Sequence, residues 1–291
     1  MNKTAVITGA TSGIGLATAQ ALAQQGWYII GIGRSEERCA QAKAAIEKAG
    51  ASGCEFSVTD LSSLTQVKKA AKEIMLMMAQ NGDRGALDVL INNAGTFSNW
   101  FIQTEDGIEL QFAVNYLAHF LLTLALLPAL SKASEPRIIS VSSASHRHTH
   151  LRWNDIQLRK HYSGLRAYKQ TKLANVLFSA EFNRRYAART GIQAFVADPG
   201  LVRTEIGLKS SGGLAKLVWR VRMAQGRPPR EGAETSVFLA TDPTVYNSGQ
   251  LYWRNNMPLA PDPLALNQTA AERLWQISER MCGIEQEKEP D

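Results

Sequence analysis

The sequence predicts an α/β protein built on one doubly wound parallel sheet. Short Val/Ile-rich runs recur along the 291 residues, and amphipathic segments long enough for right-handed crossover helices lie between them. The runs are also continuously apolar, as in AVIT and YIIGI, which suits strands covered on both faces. Seven strands are expected, at residues 4–8, 28–32, 56–58, 89–92, 138–141, 192–196 and 251–253. Helical periodicity marks 14–25, 36–49, 64–80, 109–130 and 168–189. Two segments break the rhythm. Residues 144–167 are polar and hold four of the five histidines, and residues 205–230 are basic with Gly212-Gly213 and Pro228-Pro229. With no repeat or linker between elements, 1–291 reads as a single domain.

A composition 45% hydrophobic and 20% charged excludes a disordered, collagen-like or disulfide-scaffold chain. The formal charge of +6 permits anionic ligands without demanding nucleic acid. Cys39, Cys54 and Cys282 are widely spaced and odd in number, which argues for a reducing compartment. MNKTAVITGA runs straight into a strand with no signal-peptide pattern, and the apolar stretch 116–130 is too short to span a bilayer, so a cytoplasmic location is expected.

The first strand runs into Thr8-Gly9-Ala10-Thr11-Ser12-Gly13-Ile14-Gly15 and then a helix, the context of a dinucleotide-binding loop. Gly9, Gly13 and Gly15 would allow a tight turn, approach of backbone to a pyrophosphate and close helix packing. The spacing is G-x3-G-x-G, and a glycine-rich turn with no ligand is the alternative. Gly33 stands where a ribose-binding carboxylate would be expected, and Arg34 follows. Without the acid, a 2′-phosphate is not repelled and Arg34 can pair with it, so NADP(H) is favoured over NAD(H); a solvated Arg34 is the alternative. Asp60-Leu61 would place a carboxylate near the adenine, unless Asp60 or Ser62 caps the next helix.

Tyr168 and Lys172 in YKQTK are four apart on a helix and share a face, where the ammonium would lower the phenol pKa. Ser142-Ser143 ends the fifth strand, where ligands of open α/β sheets bind.

Taken in order, TGATSGIG, Asp60-Leu61, Asn92-Asn93-Ala94-Gly95, Asn115, Ser143, Tyr168-x3-Lys172 and the run Asp198 to Thr204 resemble the short-chain dehydrogenase/reductase family across almost the whole chain. TEDGIELQFAVNYLAHFLLT, RIISVSSASH, YKQTKLANVLF, EGAETSVFLA and RLWQISERMCGI resemble its retinol dehydrogenase and carbonyl reductase branch. The resemblance implies a Rossmann-type fold and reversible hydride transfer between a nicotinamide and a carbonyl or alcohol carbon. It implies that Tyr168 is the acid/base, Ser143 rather than Ser142 polarises the carbonyl, and Lys172 holds the nicotinamide ribose and depresses the tyrosine pKa. Asn115 would anchor a water relay behind Lys172. Thr11, Ser12, Gly13 and Ile14 of the glycine loop, Asn93, Ala94 and Gly95, and Pro199, Gly200, Val202 and Thr204 would line the cofactor cleft. The chain departs from the branch in lacking an apolar anchor before the first strand and in having Asp198 where histidine is usual. Some similarity also extends to light-dependent protochlorophyllide reductases.

The resulting expectation is an NADP(H)-dependent oxidoreductase of a small-molecule lipophilic aldehyde, ketone or retinoid-like alcohol, with no metal and no nucleic-acid partner. The rival is a catalytically silent NADP(H)-binding regulatory protein of the same fold. His146, His148 and His150 alternate and would share one side of an extended segment; a solvated insertion beside the substrate is the default over a metal site, with His146 or Trp153 touching substrate. Residues 210–230 carry +5 from Lys216, Arg220, Arg222, Arg227 and Arg230, and read as a substrate lid with a solvated basic face or one lying on an anionic membrane. The apolar helices starting at Tyr116 and Tyr168 resemble the pair that forms a four-helix homodimer interface in the family, although covering the sheet would also make them apolar.

Overall fold

The computed structural model describes residues 2–80, 85–203 and 226–284. Among them the sheet has eight strands: β1 (Thr4–Thr8), β2 (Tyr28–Gly33), β3 (Gly53–Val58), β4 (Val89–Asn92), β5 (Arg137–Val141), β6 (Gln193–Asp198), β7 (Tyr252–Arg254) and β8 (Met257–Pro258). Their order is β3-β2-β1-β4-β5-β6-β7-β8. The first seven are parallel and β8 is antiparallel. The seven expected strands are all present. The eighth escapes a periodicity reading because it is only two residues long; Asn255 and Asn256, both at positive φ, turn β7 back on it.

The apolar strands divide their side chains between two cores. Ala5, Ile7, Ile29, Val89, Ile91, Ile139 and Phe195 face one, against α1 (Gly13–Ala23), α2 (Glu36–Ala49) and α6 (Pro229–Thr241). Val6, Ile30, Leu90, Ile138 and Val196 face the other, with α3 (Leu64–Gln80), α4 (residues 110–125), α5 (Gly164–Phe182) and α7 (Gln268–Cys282). Helix α4 is made of Leu110–Phe112, a π-helical turn Ala113–Leu117 and Ala118–Ala125; a separate short helix, Leu127–Leu130, takes Pro128 in its first turn, where its missing N–H costs nothing.

Helix α7 packs against α4 and α5, the two helices that resemble the family's dimer-forming pair. Trp275 sits 4.9 Å edge-on to Phe120 and stacks 5.8 Å from Phe178, and the Tyr116 hydroxyl shares a buried hydrogen bond of 2.7 Å with Ser278. Part of the apolarity of these helices is thus satisfied within one chain.

Two segments differ from expectation. Helix α5 begins at Gly164, not at Tyr168, because Ser163 caps it and Gly164 lies so close to the chain at Ser98 that a Cβ would meet the Ser98 carbonyl at 2.0 Å. The three alternating histidines do not share a face: Ala144–His146 is a 3-10 turn, His146 is buried, and His148 has a positive φ. No group of three His, Cys, Asp or Glu is arranged to hold a metal among the described residues. Thr204 and residues 205–225 of the lid lie outside the described residues, and Pro229 and Arg230 already belong to α6. No described helix is long and apolar enough to cross a membrane.

Candidate active site

Because β1 to β6 are parallel, the segments after them emerge along one edge of the sheet: Gly9–Gly15, Arg34, Asp60-Leu61, Asn93–Gly95, Ser142-Ser143 and Pro199–Val202. The order reverses between β1 and β4, where open α/β sheets take their ligands.

The glycine loop is shaped by contacts that exclude side chains. Gly9 and Gly13 have positive φ, and a Cβ on Gly15 would meet the Gly9 carbonyl at 2.2 Å and Asn93 Nδ2 at 2.5 Å. Thr8, the strand end that opens the TGATSGIG motif, organises the junction. Its Oγ1 accepts from the Asn93 and Ala94 amides, both at 2.9 Å, and lies 3.1 Å from His119 Nε2. Asn93 Nδ2 in turn donates to the Thr8 carbonyl. Burial pushes His119 down to about 3, so it is neutral. Ser12 precedes α1 without capping it through its side chain, and the first turn holds no acid, so the helix presents amide donors and a positive dipole end. Ile14 and Val202 meet over Gly232 of α6, which brings the β6 loop against the start of α1. This cradle fits the diphosphate of a dinucleotide.

Gly33 is closed in: a Cβ there would meet Thr11 Cγ2 at 2.4 Å and Cys39 Sγ at 2.7 Å. Arg34 next to it is exposed. Asp60 is not a helix cap, and neither is Ser62. Asp60 accepts from the Ser62 amide in a local turn, while Ser63 Oγ, accepting from Gln66, stands before α3. Leu61 is buried.

On the other side of the switch point, Lys172 is buried in α5 and its ammonium donates to the Val141 carbonyl at 2.9 Å, 5.4 Å from the centroid of the Tyr168 ring. The two adjacent serines have separate tasks. Ser142 is buried and donates to the Lys172 carbonyl at 2.8 Å, whereas Ser143 is half-buried and caps the following 3-10 turn. Phe97 meets the Tyr168 ring edge-on at 6.1 Å. The direction of the tyrosine shift is the reverse of that expected from the Tyr-Lys spacing. Burial pushes Tyr168 up to about 12, with the Asp198 carboxylate adding to it, and burial lowers Lys172 to about 8. Loss of solvent sets the direction of both shifts, and the Lys172 ammonium is anchored on a backbone carbonyl.

Asn115 lies in the π-helical turn of α4, buried. Its Oδ1 accepts from the Thr96 amide at 2.7 Å, and its Nδ2 donates to the Thr96 carbonyl and to Thr171 Oγ1. It therefore ties the loop after β4 to the turn of α5 between Tyr168 and Lys172. The insertion of one residue into the helical turn re-aims this side chain. Asp198, at the end of β6, accepts from the Tyr252 hydroxyl at 2.7 Å and from the Gly200 amide at 2.9 Å, which holds the Pro199-Gly200 turn; its pairing partner, Tyr252, is not signalled by any motif.

Residues 3–212 match the family model described as short chain dehydrogenase. The chain belongs to the short chain dehydrogenase family. Within that family it resembles retinol dehydrogenases. It is 36% identical to mouse retinol dehydrogenase 14 over 97% of this chain and 86% of the relative, and 33% identical to human polyprenol dehydrogenase with the same coverage. Among solved structures, an uncharacterized protein from Mycobacterium paratuberculosis superposes with a TM-score of 0.75 at 30% identity, over 97% of this chain and 93% of the other. An alcohol dehydrogenase from the archaeon Thermococcus sibiricus, complexed with 5-hydroxy-NADP, shares the fold with a TM-score of 0.63 at 22% identity, over 87% and 96% of the two chains. This short chain dehydrogenase is an alcohol/carbonyl oxidoreductase that works with a nicotinamide cofactor.

Proposed function

We propose that the chain is an NADP(H)-dependent oxidoreductase of a lipophilic carbonyl or alcohol, with Tyr168 as the acid/base. The observation that supports this most is the placement of Lys172: its ammonium is held on the Val141 carbonyl, two residues before Ser143, beside the ring of Tyr168. A bound nicotinamide supplies the hydride that is added to, or taken from, the substrate carbon. Tyr168, neutral at physiological pH, donates its phenolic proton to the carbonyl oxygen as negative charge develops there. Ser143 donates a hydrogen bond to the same oxygen, since Ser142 is committed to Lys172. The Lys172 ammonium stabilises the phenolate left on Tyr168. Asn115 positions α5 against the Thr96 loop.

Preference for NADP(H) is supported by Gly33, where Thr11 and Cys39 leave no room for a ribose-binding carboxylate, and by the exposed Arg34 beside it. A lipophilic substrate is supported by the likeness to retinol and polyprenol dehydrogenases. The test is titration with NADPH and NADH, then NADPH oxidation against aldehydes, ketones and quinones including retinal. Turnover with an NADPH preference that disappears in Tyr168→Phe, while NADPH still binds, is expected. Activity retained by Tyr168→Phe removes that residue from its role, and NADPH binding without turnover on any compound favours the regulatory alternative.

A further inference from the structure

Two adjoining cavities lie beside the catalytic residues, and neither is lined by Ser143, Tyr168 or Lys172. One, of about 360 Å³, is basic: His148, His150, Arg152, Arg166 and Lys169 contribute to its wall together with the helix-capping Ser163, and no acid does. The other, of about 310 Å³, is mainly apolar, walled by Leu151, Trp153, Leu173, Leu177 and Leu264 between α5 and α7. Thr149 and His150 line both, so the two adjoin as a depression with a cationic end and an apolar end.

Three guanidinium or ammonium groups around one concavity repel one another weakly through water, and an anion placed between them is attracted by all three. The arginines offer planar donor forks, and the lysine a compact charge, to phosphate oxygens. In the apolar part, Arg273 is drawn over the Trp153 ring, 4.7 Å from its centroid, and α7 closes over Leu173 and Leu177. The combined volume suits a single phosphate head with a medium-length alkyl chain.

We infer that this depression is a binding site for an anionic amphiphile: a phosphate monoester head held by Arg152, Arg166 and Lys169, with its hydrocarbon chain between α5 and α7. The site is distinct from the catalytic cleft and does not depend on which substrate is turned over. Its occupant is a single dissolved molecule rather than a bilayer.

The test is calorimetric titration of the full chain with dodecyl phosphate below its critical micelle concentration, alongside inorganic phosphate and dodecanol. Dodecyl phosphate should bind at one site, about tenfold or more tighter than either half-molecule. Arg166→Ala/Lys169→Ala should weaken it by about tenfold or more, because the charged head loses two of its donors. Ala270→Phe, which fills the apolar end, should weaken dodecyl phosphate without changing the affinity for inorganic phosphate. Circular dichroism checks that both variants fold, and NADPH binding serves as a second control. Equal affinity for dodecanol and dodecyl phosphate, or no loss in the double variant, overturns the cationic head site. Inorganic phosphate binding as tightly as dodecyl phosphate overturns the role of the apolar end. Binding to phosphatidic acid vesicles with none to dissolved dodecyl phosphate overturns the proposal in favour of a membrane surface.

Discussion

His146 Nδ1 lies 2.8 Å from the carbonyl of Ser143, and its other ring nitrogen accepts from the Asp262 amide at 3.1 Å. Because that amide can only donate, Nε2 must be the bare nitrogen and Nδ1 carries the proton given to Ser143. Burial lowers the His146 pKa and keeps this neutral tautomer. The ring also sits 4.9 Å from that of Tyr252, whose hydroxyl binds Asp198. One buried histidine thus fixes the backbone of the proposed carbonyl-binding serine to the segment before α7.

Replacing it should misplace Ser143 without disturbing the cofactor cradle. In His146→Phe, kcat is expected to fall about tenfold with the NADPH Kd unchanged, since small errors in placing a reacting group are costly. The orphaned Asp262 amide and Ser143 carbonyl should also lower stability by about 1–3 kcal/mol each. Steady-state kinetics, cofactor titration and urea unfolding of the same variant check the three effects, and His146→Gln should recover part of the loss.

Cofactor choice should respond separately to Arg34 and Gly33. Arg34→Ala is expected to weaken NADPH by about 1.5–3 kcal/mol, the value of a hydrogen bond to a charged group, with little change for NADH. Gly33→Asp places a side chain against Thr11 and Cys39 and should impair both cofactors, rather than convert the enzyme to NAD(H). Fluorescence titration of each variant with NADPH and NADH reads the result.

Carbonyl reduction should be nearly constant up to about pH 8 and fall above it. Tyr168 keeps its proton until about pH 12, but Lys172 loses its charge near pH 8, and with it the stabilisation of the phenolate. The Asp198 carboxylate raises the Lys172 pKa, so Asp198→Asn should move this break to lower pH. The measurement is the pH profile of kcat/KM for reduction of one aldehyde by NADPH.

The cover formed by α7 predicts a monomer. Sedimentation equilibrium at micromolar concentration should give a mass near 31.9 kDa. Trp275→Ala removes a side chain 1% exposed between Phe120 and Phe178 and is expected to cost about 3–5 kcal/mol in denaturant unfolding.

Periodicity and turn chemistry make the seven parallel strands, the long helices and the glycine loop legible in the chain alone, because each depends on residues near one another in sequence. The same locality placed Gly9, Asn93, Ser143, Tyr168 and Lys172 at strand ends or on one helix face. Folding decided what those side chains do once water is removed. Thr8 becomes the clasp between the two loops at the switch point only because β1 and β4 pair, 85 residues apart in the hydrogen bond to Asn93. Tyr168 is raised rather than lowered because desolvation, a property of everything packed around it, sets its direction and the Asp198 carboxylate adds to it. The alternating histidines separate into one buried clamp and two residues lining a cavity wall, since a 3-10 turn replaces the extended geometry their spacing suggests. That an apolar face of α5 packs on the chain's own C-terminal helix is likewise a matter of long-range packing, supplied here by Trp275 from more than 90 residues beyond Phe178.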